Sequence, residues 1–246
     1  MPDPLESPGP RESAGAPPAK PWSGGGREQL ADAVRRLMSA TVTTVASPEL
    51  LEDAARRIEE LADGLERHVP ERGPVPTARF ADRSVRAEEA VTLAAAMPFD
   101  MIIGTCNPVA LPIVIEFEPP MAIGRGTFTP PYEGAPGCVH GAVLAAAFDM
   151  MLTAANVIAD AAGPTVTLTI RYLKPTLIGQ PALFEASVTS LDRRRTHSRG
   201  RLVQNGVVTV EAEGEFVTME RSRIASMHRR DGGPDGSGSD GGGRSP

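Results

Sequence analysis

The sequence predicts an α+β domain in which antiparallel strands wrap a single apolar helix. Three observations carry this. After residue 98 the chain runs as two strand-like segments, one long apolar segment, and four more strand-like segments. The strand-like segments are joined by short turns, which suit antiparallel neighbours; parallel strands need long crossovers. The apolar segment that follows "PGCVHG" is hydrophobic nearly all round a helical wheel, the pattern of a helix enclosed by other elements.

The elements follow in order along the 246 residues. Residues 1–26 are mostly Pro, Gly, Ser and charged residues, and residues 231–246 contain only Asp, Gly, Pro, Ser and Arg. Such segments bury too little apolar surface to offset their ordering entropy, so a 1–26 arm and a 220–246 tail are expected to be disordered. Residues 27–67 read as two amphipathic helices forming an antiparallel hairpin. Leu30, Val34, Leu37 and Met38 share one face of the first. The second opens with Ser47 as N-cap and Pro48 at the first helical position, then carries Leu50, Ala54, Ile58, Leu61 and Leu65 as a stripe. Burial, in packing or in stabilising a dimer, is the expected use of such stripes. Residues 68–97, with prolines at 70, 74 and 76, read as a linker, and 98–219 as the main domain.

Within that domain "IVIEFEP" and "MAIGRGTFT" are two strands around a Pro-Pro turn, with Ile113, Ile115 and Phe117 alternating against Val114, Glu116 and Glu118. A helix beginning near His140-Gly141 and ending near Gly163-Pro164 comes next. "TVTLTIRYLKP", "ALFEASVTSLD", "HSRGRLVQ" and "VVTVEAEGEFVTM" then supply four strands. The Asn205-Gly206 pair between the last two is a type I′ hairpin signal.

Composition excludes several roles. A net charge of -6 gives no support to nucleic-acid binding. Cys106 and Cys138 show neither metal-ligand spacing nor a disulfide framework, which suits a reducing cytoplasm. The N-terminus has no apolar signal-like run. The longest apolar run, Ala142 to Leu152, is shorter than the ~20 residues of a membrane span and contains Asp149, so no membrane role is expected. The histidines at 68, 140, 197 and 228 lack ligand spacing, so no metal is implied, and no cofactor is expected.

Asp149 is the residue that needs explaining. With Thr153, Asn156 and Asp160 it forms a polar stripe about 60° wide on the helix. The last three are accounted for as a wet face. Asp149 sits about two turns from a glycine-containing helix start, where first-turn N–H groups lack helical partners and can hold a developing oxyanion. An oxyanion donor with a carboxylate base or nucleophile suits acyl transfer or hydrolysis.

"YEGAPGCVHGAVLAAAFDMML" resembles the His-Gly-Gly region of hotdog-fold acyl-CoA thioesterases, the PaaI-type branch of the 4-hydroxybenzoyl-CoA thioesterase superfamily. That family carries an Asp nine residues after the motif His, the spacing of Asp149 from His140. "TVTLTIRYLKPTLIGQ" resembles the strand that follows the family's central helix. The likeness covers roughly residues 98–219, and Ala142 departs from the second motif glycine. It implies a hotdog fold and hydrolysis of an acyl-CoA to carboxylate and CoA. It also implies a homodimer or dimer of dimers, with the Gly141 N–H polarising the thioester carbonyl and Asp149 acting across the interface. His140 would cap, orient the loop or touch the carbonyl, and Thr165 would help place water, although a β-branched residue also suits a strand. Arg194, Arg195 and His197 in "DRRRTHSRG", with Lys174 second to them, are the expected contacts to CoA phosphates. A non-catalytic acyl-CoA-binding module is the alternative, and a dehydratase of the same fold ranks behind it. A Cys138–His140 nucleophile pair is disfavoured, because side chains so close along a loop rarely align.

Overall fold

The computed structural model describes residues 25–69 and 93–217. The expected disordered tail and residues 1–24 of the expected arm lie outside that range, as does most of the linker. The elements are α1 (Gly26–Thr43), α2 (Pro48–Glu66), a single turn α3 (Leu93–Ala96), β1 (Ile113–Glu118), β2 (Met121–Thr127), a 3₁₀ turn (Pro130–Tyr132), α4 (Gly141–Ile158), β3 (Thr165–Tyr172), β4 (Pro181–Leu191), β5 (Arg195–Gln204) and β6 (Val207–Val217). The strands form one antiparallel sheet in the order β1-β2-β4-β5-β6-β3 around α4, the hotdog architecture. Asn205 (φ 52°) and Gly206 (φ 76°) turn β5 into β6 with both residues left-handed, as a type I′ turn requires.

α4 is 18 residues long and apolar enough to match a membrane span by length and composition. It is nonetheless the core helix: Leu144, Ala147, Phe148, Met151, Leu152 and Ala154 are at most 2% exposed. Small residues on the sheet make room for it. A Cβ at Gly124 would lie 2.6 Å from Met151 Sδ, and one at Gly214 would lie 2.8 Å from Leu152 Cδ1. Phe148 and Phe184 pack edge to face at 5.3 Å. The core begins earlier than the expected boundary at 98, because Leu93 is 0% exposed within it.

The polar stripe of α4 is not a uniformly wet face. Asn156 is fully buried, and its Oδ1 accepts from the Ser198 hydroxyl of β5. Thr153 is half-buried, and only Asp160, just past the helix end, is exposed.

Two N-terminal helices are present, with Ser47 capping α2 by accepting from Leu50 N–H at 3.4 Å. The first begins at Gly26, inside the expected arm. α1 packs on the Pro130–Tyr132 turn, where Ala31 is buried. Arg35 donates to the carbonyls of Asn107 (2.7 Å) and Thr105 (3.2 Å), and Glu28 accepts from Thr105 Oγ1. The second helix does not bury its stripe: α2 has no buried residue.

Candidate active site

The site is built on the first turn of α4. Glu133, in the loop ahead of it, accepts from Gly137 N–H at 2.5 Å and holds the "GAPGC" turn closed. His140 N–H donates to Tyr132 O at 2.9 Å, fixing the residue before the helix. His140 is the N-cap, and its Nδ1 accepts from Ala142 N–H at 3.0 Å. Its carbonyl accepts from Val143 N–H (3.0 Å) and Leu144 N–H (3.2 Å). Of the four first-turn amides, only Gly141 N–H has no acceptor among the described residues. The two bonds on the His140 carbonyl polarise the peptide unit that carries this amide, making it a better donor.

Gly141 lies where the Tyr172 side chain comes close to the helix start. A Cβ there would lie 3.2 Å from the Tyr172 ring, so the space belongs to the tyrosine and not to a ligand. The Tyr172 hydroxyl donates to Gly141 O at 2.8 Å. The sequence gives no signal for this contact of Tyr172. Side-chain chemistry at a strand end does not reveal which helix turn it will touch. Ala142, in place of the second motif glycine, is exposed, so its methyl group leaves the helix start intact.

Asp149 and Thr165 are brought together: Thr165 Oγ1 donates to Asp149 Oδ1 at 2.7 Å. The bulge between Thr165 and Thr167 makes this possible, because it places Thr165 opposite Phe216 and Thr167 opposite Glu215. Gly141 and Asp149 of one chain are not brought together. Eight residues of α-helix separate them by about 12 Å along the axis.

The basic candidates lie elsewhere. Arg195 and His197 are already part of β5, alternating with buried Thr196 and Ser198, which face the helix. They therefore sit on the outer face of the sheet, opposite Asp149. Arg195 pairs with Glu215 at 2.7 Å. His197 lines an outer groove of about 460 Å³ with Thr167, Thr169, Arg199 and Glu213. Arg194 is exposed at the β4–β5 turn, where the N–H groups of Arg194 (3.0 Å) and Arg195 (2.8 Å) donate to Asp192 Oδ1. Those two amides hold the Asp192 carboxyl below the usual carboxylate range, with His197 and Arg195 adding charge. Lys174 is exposed just beyond Tyr172.

With this geometry in view, the comparisons with known proteins are specific. A family model described as the thioesterase superfamily matches residues 136–217, from the "PGCVHG" turn to the end of β6. A crystal structure described as a thioesterase superfamily protein is 31% identical, covering 79% of this chain and 96% of its own, with a TM-score of 0.67. That share exceeds what residues 98–246 can supply, so the likeness extends into the N-terminal helices. More distant matches include the PaaI protein of the E. coli phenylacetic acid degradation operon, at 19% identity over 45% of this chain and 81% of that one (TM-score 0.42). Another is smu.793 of Streptococcus mutans bound to acetyl CoA, at 18% identity over 45% and 90% (TM-score 0.42). No curated protein matches the chain. The chain belongs to the thioesterase superfamily.

Proposed function

We propose that this protein is an acyl-CoA thioesterase whose site is assembled from two copies of the chain. The supporting observation is the division within α4: one unengaged amide at Gly141, and one carboxylate, Asp149, about 12 Å further along. A single chain cannot present both to one carbonyl. Two antiparallel copies of α4 can, with Gly141 of one helix level with Asp149 of the other. The edge strand β3, exposed over most of its length, offers a matching sheet edge.

In this reading Gly141 N–H holds the thioester oxygen as negative charge develops on it. Asp149 either takes a proton from the attacking water or attacks the carbonyl carbon itself, and in the second case water then hydrolyses the resulting acyl-aspartate anhydride, releasing the carboxylic acid and regenerating the carboxylate. The C–S bond breaks, and the thiolate leaves as CoA with a proton supplied by the water. Thr165 fixes one Asp149 oxygen and leaves the other for this chemistry. His140 serves through its cap, which fixes the first turn. Arg194 and Lys174 are the proposed contacts to CoA phosphates, with His197 on the outer face behind them. Arg195 is committed to Glu215 and is the weakest of the set.

The test is complementation. Gly141→Pro deletes the amide proton at a first helical position, where the backbone accepts proline, because His140 (φ −62°, ψ 134°) already has the conformation a residue before proline prefers; the exposed Tyr172 ring, 3.2 Å from the added Cβ, has to give by a few tenths of an ångström. That variant is expected to lose on the order of 10²–10³ in kcat. Asp149→Asn is expected to abolish turnover of a panel of acyl-CoAs followed with a thiol reagent. Co-expression of the two inactive chains should restore about a quarter of wild-type activity, because half the random dimers carry one intact site of two. An inactive mixture, or turnover by the Asp149→Asn chain alone, would refute the reading. Acyl-CoA binding by the wild type with no turnover would favour the binding module.

A further inference from the structure

α1 buries a single residue, Ala31, so directed polar bonds do much of the work of holding it in place. The Arg35 side chain is only 25% exposed. Its guanidinium donates to Asn107 O at 2.7 Å, to Thr105 O at 3.2 Å and to Asp32 Oδ1 at 2.6 Å. Thr105 Oγ1 donates to Glu28 Oε1 at 2.9 Å as a second fastening. Apolar burial stabilises without direction, whereas hydrogen bonds to backbone carbonyls fix where a loop sits.

The loop fastened in this way leads back to the site. Asn107 O, which accepts from Arg35, also accepts from Ala110 N–H at 3.1 Å. The Asn107 side chain closes the same turn, with Nδ2 donating to Phe99 O and Oδ1 accepting from Val109 N–H, each at 3.1 Å. The carbonyl of buried Ala110 accepts from the Tyr132 hydroxyl at 2.9 Å. The Tyr132 ring packs edge-on against buried Phe128, with centroids 6.0 Å apart. Tyr132 O then accepts His140 N–H at 2.9 Å, and the His140–Gly141 peptide carries the unengaged amide.

We propose that Arg35 is a positioning residue for the site: through the 105–110 loop and the Tyr132 turn, α1 sets where the Gly141 amide points. The first link is charge-assisted, and such bonds are stronger than neutral ones. Without it the loop is free to shift, the Ala110 carbonyl leaves the Tyr132 hydroxyl, and the turn that holds His140 relaxes. An oxyanion donor has to lie within about 2.7–3.1 Å of the charge it stabilises, so a small displacement lowers the rate. Interactions made only in the transition state act on kcat and leave KM unchanged. As a statement about catalysis the inference rests on Gly141 N–H holding the thioester oxygen. As a statement about geometry it stands apart from that reading.

NMR and kinetics of the full chain test the two statements separately. His140–Gly141 is the only His-Gly pair in the sequence, so carbonyl-labelled histidine with amide-labelled glycine gives a single cross-peak from this peptide. Arg35→Met, which keeps a stem and removes the donors, and Tyr132→Phe should each move that peak. Arg36→Met, which removes the same charge from the exposed neighbouring position, should not. Arg35→Met and Tyr132→Phe should each lower kcat about three- to tenfold with KM unchanged, the range of one net hydrogen bond. The double variant should fall no further than the slower single variant, because both changes cut the same series of bonds. If Arg35→Met does not fold, Arg35→Lys takes its place, since a single ammonium cannot reproduce the forked contact to two carbonyls. An unmoved peak in the Arg35 variant would overturn the proposal, as would a loss confined to KM or losses that multiply in the double variant. A wild type without turnover would refute the proposed hydrolysis, and the cross-peak would then decide the coupling by itself.

Discussion

At the scale of single residues, the helix start shows how a chain prepares one hydrogen-bond donor and satisfies its neighbours. Ala142, Val143 and Leu144 all donate to His140, through its ring nitrogen or its carbonyl, and Gly141 alone is left over. Tyr172 acts on the same turn from β3, occupying the place of a side chain at 141 and donating to its carbonyl. Its hydroxyl is therefore expected to position the Gly141 amide proposed to hold the oxyanion. Tyr172→Phe should lower kcat about fivefold with KM unchanged, the equivalent of one net hydrogen bond of about 1 kcal/mol. Steady-state kinetics on a good substrate will show it, and a change confined to KM would assign Tyr172 to binding instead. The nine-residue interval from His140 to Asp149 was legible in the sequence because helical periodicity is local. The tyrosine contact was not, because it joins residues 31 apart through the fold.

At the scale of elements, the strands and the buried helix match the expected order because each carries its own period of apolar residues. The boundary errors have physical causes. β5 begins at Arg195, two residues before the expected start, because the Asp192 carboxylate gathers the next amides into a tight turn and lets pairing with β6 begin at once. Arg195 thus becomes an outer-face strand residue neutralised by Glu215, while Arg194 stays in the turn. The β1–β2 pair depends on close approach at Gly126, where a Cβ would fall 2.0 Å from Pro112 O. Backbone cannot yield as a flexible side chain can. Gly126→Ala should therefore cost roughly 1–3 kcal/mol, seen as a Tm lower by about 2–4 °C per kcal/mol with the fold retained. An unchanged melting curve would mean that the Leu111–Ile113 segment moves freely.

At the scale of the whole molecule, Tyr132 ties separate regions together. It lies in the turn on which α1 packs, donates to Ala110 O at 2.9 Å, and accepts His140 N–H on its carbonyl. Burial raises its phenol above the ordinary 10.0, partly opposed by Arg35. A raised pKa means that the folded state holds the proton more tightly. Its stabilising effect is complete below about pH 10 and is lost as pH climbs through the folded value. Melting temperatures across about pH 8 to 11 should fall more steeply for the wild type than for Tyr132→Phe, and parallel curves would remove Tyr132 from this role.

By itself the sequence determined what nearest neighbours along the chain control. It marked the helices and strands, the type I′ turn, the apolar core helix and the placing of a carboxylate nine residues beyond a histidine. Tertiary structure decided what depends on distant segments meeting. It set which amide stays unengaged, why residue 141 lacks a side chain, that Asn156 is enclosed, which face of the sheet carries the basic strand, and that α2 is left uncovered by the other described residues. Periodicity is written in consecutive residues, whereas burial and hydrogen-bond partnership depend on which surfaces fold together.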